Sequence, residues 1–210
     1  AYIAVSAASE AGLVGPEGMA LALAVWMNGS FVGLWDGTRG GVSRFTYAQS
    51  WVESAQARPL SLSLPITATR TQTGPAVERW FDNLLPDSSS IRRRLQSRWR
   101  TPSSSPFDLL AAIGRDCVGA VQLLPDGIEP EGWDRIESEP MSEQDVARHL
   151  DAVTAGGPFN AQGDEEDLRL SLAGAQEKTA LLRIGSKWHR PRGATPTTHI
   201  LKLPLGLVGN

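Results

Sequence analysis

Leu23-Ala24-Val25-Trp26-Met27-Asn28-Gly29-Ser30-Phe31-Val32-Gly33-Leu34 sets an Asn-Gly pair between two apolar runs. A type I′ turn needs a positive φ at both central residues, which Asn and Gly tolerate, and its twist matches that of the strands it joins. The stretch therefore reads as a β-hairpin, with Leu21, Leu23 and Val25 alternating with alanines along its first arm. Downstream, Gly41-Val42-Ser43-Arg44-Phe45-Thr46-Tyr47 turns Val42, Arg44 and Thr46 to one side and Ser43, Phe45 and Tyr47 to the other. Leu60-Ser61-Leu62-Ser63-Leu64 alternates strictly before Pro65 and predicts a further strand. Residues 20–64 are thus expected to form one antiparallel sheet with a single buried face.

Beyond it the period changes from two to helical. In Pro75-Ala76-Val77-Glu78-Arg79-Trp80-Phe81-Asp82-Asn83-Leu84-Leu85, proline stands in the first turn and the apolar residues recur at helical spacing up to Pro86. Ser88 to Ser90 can cap a second helix bearing Ile91, Leu95 and Trp99. A third follows Ser105-Pro106, with Phe107, Leu110 and Ile113 on one face and Gly114 as its end. Val118 to Leu124 returns to strand. Between Asp126 and Asp145 eight acidic residues stand against Arg135 alone, the composition of a solvated linker. Its end, Ser142-Glu143-Gln144-Asp145, fits a capping box for a helix with Val146, Leu150 and Val153. A second β region then opens: Leu168, Leu170 and Leu172 alternate with Arg169, Ser171 and Ala173, and a strand runs from Thr179 to Ile184 after the Gly174 loop.

The chain has 210 residues, 41% of them hydrophobic, seven tryptophans and a formal charge of -3. That composition excludes wholesale disorder and a globally basic nucleic-acid binder. No stretch approaches the ~20 apolar residues of a spanning helix, and the lone Cys117 cannot form an internal disulfide, so the expected location is cytoplasmic. The chain opens on Ala1-Tyr2, Met19 offers a more natural start, and the last residues follow directly on the strand-like His199-Ile200-Leu201-Lys202-Leu203-Pro204. It reads as a fragment: an extension over 1–18, a first domain over 19–125, an acidic linker over 126–145 and the start of a second domain over 146–210.

Four features could carry chemistry. Arg92, Arg93, Arg94, Arg98 and Arg100 form a basic cluster able to meet phosphates or an acidic partner; a solvated helix face is the plainer reading, since lysine occurs only at Lys178, Lys187 and Lys202 and arginine runs are this chain's habit. Ala173-Gly174-Ala175-Gln176-Glu177-Lys178-Thr179 is a glycine-containing turn between strands, whose backbone N–H groups could face phosphate oxygens. It is not a Walker loop, because Glu177 precedes the lysine and a strand follows it, and it is not GxGxxG. On spacing alone an ordinary hairpin turn is favoured. Lys202, in the middle of an apolar strand, is costly to bury without an anion, whereas on an edge strand it would snorkel to water. His149, His189 and His199 stand far apart, so neither a metal site nor a nucleophile triad assembles from the sequence, and Cys117 reads as core.

Taken together, Phe81-Asp82-Asn83-Leu84-Leu85-Pro86-Asp87, Pro106-Phe107-Asp108-Leu109-Leu110, Ile113-Gly114-Arg115-Asp116, Val118-Gly119-Ala120-Val121, Ser171-Leu172-Ala173-Gly174-Ala175-Gln176-Glu177-Lys178-Thr179-Ala180-Leu181-Leu182 and Thr195-Pro196-Thr197-Thr198-His199-Ile200-Leu201-Lys202-Leu203-Pro204 resemble the HipA-type serine/threonine kinase toxins. The resemblance runs in order from about Met19 to Gly206. It implies an α+β fold: an antiparallel β-rich N-terminal domain with packed helices, then the opening strands of a HipA-like kinase lobe.

The resemblance also implies a toxin of a type II toxin-antitoxin module, with a HipB-like antitoxin as partner and operator DNA reached through that antitoxin. Its activity would be ATP-dependent phosphorylation of glutamyl-tRNA synthetase, producing growth arrest and persistence. By motif, Ala173, Gly174, Ala175, Gln176, Glu177 and Lys178 would form the phosphate-binding loop, Lys202 would hold the ATP phosphates, and Ser171 would be the autophosphorylated serine. About two negative charges added at Ser171 would repel ATP and disturb that turn. In this family the catalytic aspartate and the Mg²⁺ ligands lie after the lysine strand, so no catalytic or metal residue is expected in this chain, and by itself it should not turn over. The alternative is a non-catalytic module that binds an antitoxin or a kinase partner.

Overall fold

The computed structural model describes residues 22–37, 42–154, 170–171 and 178–202. Its first sheet grows outward from the hairpin. Strands β1 (Leu23–Met27) and β2 (Ser30–Asp36) pair antiparallel about Asn28 and Gly29, whose φ values of 49° and 74° are those the type I′ turn demands. β3 (Arg44–Tyr47) and β4 (Thr71–Thr73) extend the sheet beyond β2; β6 (Val121–Pro125), β5 (Asp116–Cys117) and β8 (Leu170–Ser171) extend it beyond β1. Every pairing in it is antiparallel except the last, in which β8 lies parallel to β5 with Asp116 opposite Leu170 and Cys117 opposite Ser171.

Among the described residues, four helices accompany this sheet: α1 (Gln49–Val52), α2 (Pro75–Asp82), α3 (Ser89–Trp99) and α4 (Pro106–Ile113). Pro75 starts α2, and Val77 and Phe81, four residues apart, are fully buried. Ser105 caps α4 by accepting the Asp108 N–H at 3.2 Å, and the Gly114 N–H closes it on the Leu110 carbonyl at 2.8 Å. The core lies between these helices and the sheet. Trp35 of β2 stacks on Phe81 with ring centroids 3.7 Å apart, Phe107 meets Trp35 edge-on at 5.1 Å, and Phe45 meets Tyr47 likewise at 4.8 Å.

The second sheet contains β7 (Ser138–Met141), β9 (Lys178–Ile184), β10 (Lys187–Pro191) and β11 (His199–Lys202), all antiparallel, in the order β11-β9-β10-β7. Helix α5 (Glu143–Thr154) packs against β7 and β9. The capping box at its start is formed: the Asp145 carboxylate accepts the Ser142 N–H at 2.9 Å and the Ser142 hydroxyl at 2.6 Å, while the Asp145 N–H reaches the Ser142 hydroxyl at 3.2 Å. Those bonds, with Arg148 beside them, hold the Asp145 carboxyl down at about 2.

Several readings need correction. Residues 60–64 are not a strand: Ser61 and Leu64 form an isolated bridge, Leu64 is fully buried and Leu62 stands 95% exposed. The Tyr47 hydroxyl explains the difference, because it donates to the Leu64 carbonyl at 2.6 Å and accepts the Leu60 N–H at 2.9 Å, satisfying the backbone without a neighbouring strand. The span from Val118 to Leu124 is broken by a turn at Gly119 and Ala120, both at positive φ, which folds β6 back on β5. The acidic stretch is not solvated linker throughout. Ser138–Met141 pairs with β10, and Trp133 lies so close over the hairpin turn that a Cβ on Gly29 would overlap its indole. Finally, the strand bearing Ser171 joins the first sheet, not the second. The expected partners Leu168 and Leu172 lie outside the described residues.

Candidate phosphate-binding site

Lys178 opens β9 and Lys202 ends β11, and the two stand directly opposite in the antiparallel register. Residues so placed share a face of the sheet. Lys202 is exposed and Lys178 half-buried, so the cost of burying a strand lysine does not arise at Lys202, which sits on the outer strand. Burial first, then the Lys202 ammonium, push Lys178 below the usual lysine range, while Asp87 pulls it back up. Two like charges in one register position oppose each other, and a polyanion arriving between them would relieve that repulsion.

Ser171 is placed by its backbone pairing on β5. Ala173, Gly174, Ala175, Gln176 and Glu177 lie outside the described residues, between Ser171 and Lys178. On the other side of β9 from Lys178, Thr179 is buried and shares a hydrogen bond of 2.7 Å with Nε2 of the equally buried His149 on α5. Ala180, Leu181 and Leu182 continue the buried run. The threonines ahead of β11 tie the sheet to its surroundings. Thr195 is buried and accepts the Glu137 N–H at 2.7 Å; Thr198 accepts the Arg183 N–H at 2.8 Å and donates its own N–H to the Leu181 carbonyl at 3.0 Å. Arg192 adds an ion pair with Glu139 at 2.8 Å. Sequence reading missed these roles: Thr-Pro-Thr-Thr signals a turn, but nothing in it names the distant backbone groups it satisfies.

The other candidates separate. Arg92 is structural, pairing with Asp82 at 2.6 Å, whereas Arg93, Arg94 and Arg100 are exposed. Each histidine bonds a hydroxyl: His149 to Thr179, His189 to Ser138 at 3.2 Å and His199 to Thr198 at 2.8 Å. Cys117 is buried with its thiol on the Gly114 carbonyl at 3.4 Å, the core role expected of it. Among the described residues no group of His, Cys, Asp or Glu could hold a metal ion, and no helix is long and apolar enough to cross a membrane.

Comparison with known proteins bears on the same segments. Residues 23–124, the span from β1 to β6 with its helices, match the family model of the HipA N-terminal domain. These residues form a HipA N-terminal domain. Among similar proteins, a Sinorhizobium fredii protein named "Putative kinase Y4mE" is 36% identical over 189 residues, covering 87% of this chain and 43% of that protein. The "Serine/threonine-protein kinase toxin HipA" of Shewanella oneidensis is 28% identical over 157 residues, covering 74% of this chain and 34% of the toxin. The solved Shewanella oneidensis toxin-antitoxin complex of HipA, HipB and operator DNA shares the fold at a TM-score of 0.63 and 23% identity, over 89% of this chain and 41% of that one. The α+β fold of antiparallel sheets with packed helices is thus the fold of a HipA structure. The chain spans less than half the length of these relatives.

Proposed function

We propose that this chain supplies the N-terminal domain and the phosphate-holding strands of an ATP-dependent serine/threonine protein kinase of the HipA type. The observation that carries the reading is the register pair Lys178–Lys202, two lysines on one face of the second sheet. In this reading the loop from Ala173 to Glu177 would wrap the phosphates, and Lys178 and Lys202 would neutralise them. Ser171 would be the autophosphorylation position. ATP with Mg²⁺ would be the donor, the metal being held by residues that follow the lysine strand in the longer relatives. A HipB-like antitoxin would be the partner, reaching operator DNA itself, and glutamyl-tRNA synthetase the phosphorylated protein, with growth arrest as the outcome.

Titration of Mg-ATP into this chain, and into a chain continued through the coding sequence that follows Asn210, tests the reading. Lys202→Ala is expected to weaken binding by about 10- to 100-fold, the worth of a charge-assisted hydrogen bond to phosphate, with the fold unchanged by circular dichroism. Unaltered affinity in Lys202→Ala would remove the role given to that lysine. Stable capture of a HipB-like protein with no affinity for nucleotide in either chain would leave the non-catalytic module as the answer.

A further inference from the structure

The segment between β6 and β7 crosses from one sheet to the other and is held at both ends. It leaves the first sheet beside β1, where the Asp126 N–H donates to the Ala22 carbonyl at 3.2 Å. The chain then lays Trp133 on the β1–β2 turn. A Cβ added to Gly29 would fall 2.1 Å from Cε2 of the indole, so the ring lies against the glycine backbone itself. Only a residue without a side chain admits that contact, and Gly29 already has the positive φ that favours glycine. Trp133 remains 46% exposed, so its seat is a surface contact and not a place in the apolar core. Close behind it the segment is fixed to the second sheet. The Glu137 N–H donates to the Thr195 hydroxyl at 2.7 Å, the Glu137 carbonyl accepts the Arg192 N–H at 2.8 Å, and the Thr195 N–H closes the turn on the Arg192 carbonyl at 3.0 Å. Thr195 is buried, so a partner lost there is penalised. The turn at Thr195 feeds β11, and β11 ends on Lys202.

We infer that Trp133 is a positioning residue for Lys202: seated on Gly29 it restrains the crossing segment, and the Glu137–Thr195 bond passes that restraint to the turn from which β11 starts. The inference deepens the proposed function and rests on it only in taking Lys202 to meet phosphate. Between Trp133 and Glu137 stand only Asp134, Arg135 and Ile136. Arg135 stiffens that span, with its N–H on the Gly132 carbonyl at 3.4 Å and its guanidinium on the Glu137 carboxylate. A short stretch braced in this way transmits a displacement that a long loop would absorb. The receiving strand is suited to respond, because β11 is four residues long and stands at the edge of its sheet, registered on β9. Few backbone bonds of its own keep such a strand closed, so the anchoring of the turn before it governs how often it opens. A triphosphate meeting a strand already held in place has less ordering to impose on it.

Amide hydrogen exchange on the intact chain, read residue by residue, tests the path. Trp133→Ala is expected to quicken exchange at Glu137, Thr195, Thr198 and β11 by about three- to tenfold, while the Leu109 and Gly114 amides at α4 keep their rates. Trp133→Phe, which keeps a ring on the turn, should restore most of the protection. Thr195→Val removes the acceptor of the Glu137 N–H and should quicken the same amides with Trp133 still seated. In the double variant Trp133→Ala/Thr195→Val, the change at β11 should fall short of the product of the two single changes, because both act through one connection. Unchanged β11 exchange in Trp133→Ala, an equal change at β11 and α4, or the full product in the double variant overturns the inference whatever the affinity for ATP. The expected exchange pattern in a protein that binds no Mg-ATP keeps the path from Trp133 to β11 and removes the phosphate role of Lys202 instead.

Discussion

The two sheets share antiparallel pairing and helical cover, yet different forces hold them. The first is closed by apolar contact: Leu23, Val25, Trp35, Phe45, Tyr47, Phe81, Leu110 and Ile113 form one continuous core, all nearly or wholly inaccessible. The second buries a short run, Ala180, Leu181 and Leu182, and alongside it three polar residues, His149, Thr179 and Thr195. Its neighbours are fixed by directed bonds, between His149 and Thr179, from the Glu137 N–H to Thr195 and from Arg192 to Glu139. Apolar burial has no direction and scales with area, so it is suited to making a stable frame. Hydrogen bonds contribute less net stability but fix position, because a buried group left without its partner is penalised. The half with candidate chemistry is therefore positioned by polar pins on a frame stabilised elsewhere, and local opening should be easier there.

Phe81→Ala attacks the frame. Phe81 is fully buried and stacks on Trp35, so its removal leaves a cavity at the meeting of α2, β2 and β3. The expected loss is about 3–5 kcal/mol, read as a shift in the urea midpoint followed by tryptophan fluorescence. A loss below about 1 kcal/mol, the level of an ordinary surface change, would mean that the aromatic stack is not the centre of the first half.

The contrast also decides what could be read in the sequence. The hairpin at Asn28-Gly29 and the helices opening at Pro75 and Pro106 were legible because turn chemistry, capping and apolar period are local. Residues 60–64 misled because period-two alternation describes strands only where a neighbour supplies the hydrogen bonds; here a tyrosine hydroxyl from 13 and 17 positions away supplies them. The docking of β8 on β5 was not legible at all, since parallel pairing of two-residue strands leaves no periodic signal. At the candidate site the residue types, Lys178 and Lys202, stood out by charge within apolar strands. Their registration opposite one another depends on how distant segments pack.

A second test sits where the two halves meet. Asp116 begins β5, beside β8, and burial pushes its carboxyl up to about 6 from 3.8. A raised carboxylate works against folding once it must ionise. Below about pH 4 the group is protonated in both states and costs nothing. Between pH 4 and 6 the unfolded chain has released its proton while the folded chain still holds it, so stability falls as pH rises; above 6 the full penalty remains. Asp116→Asn is expected to make the protein up to about 2–3 kcal/mol more stable at pH 7 and no different near pH 3.5. Urea unfolding of both proteins across that range checks it, and a gain that does not depend on pH would show that packing, not charge, had changed.

The smallest effect should be the most localised. Thr179→Val keeps the shape of the side chain and its burial but removes the hydroxyl that meets His149 Nε2. The direct cost is about 1–2 kcal/mol, a modest shift in the urea midpoint. The more telling readout is amide exchange. If the second sheet is held by directed bonds, exchange should quicken in Lys178–Ile184 while the amides of Leu23–Met27, within the apolar frame, keep their protection relative to the global unfolding limit. Uniform quickening in both strands would mean that the two sheets unfold as one unit and that the polar pins add stability without governing local opening. Quickening confined to β9 would show that the strand carrying Lys178 can be loosened through the helix packed against it, while the fold that presents it stays intact.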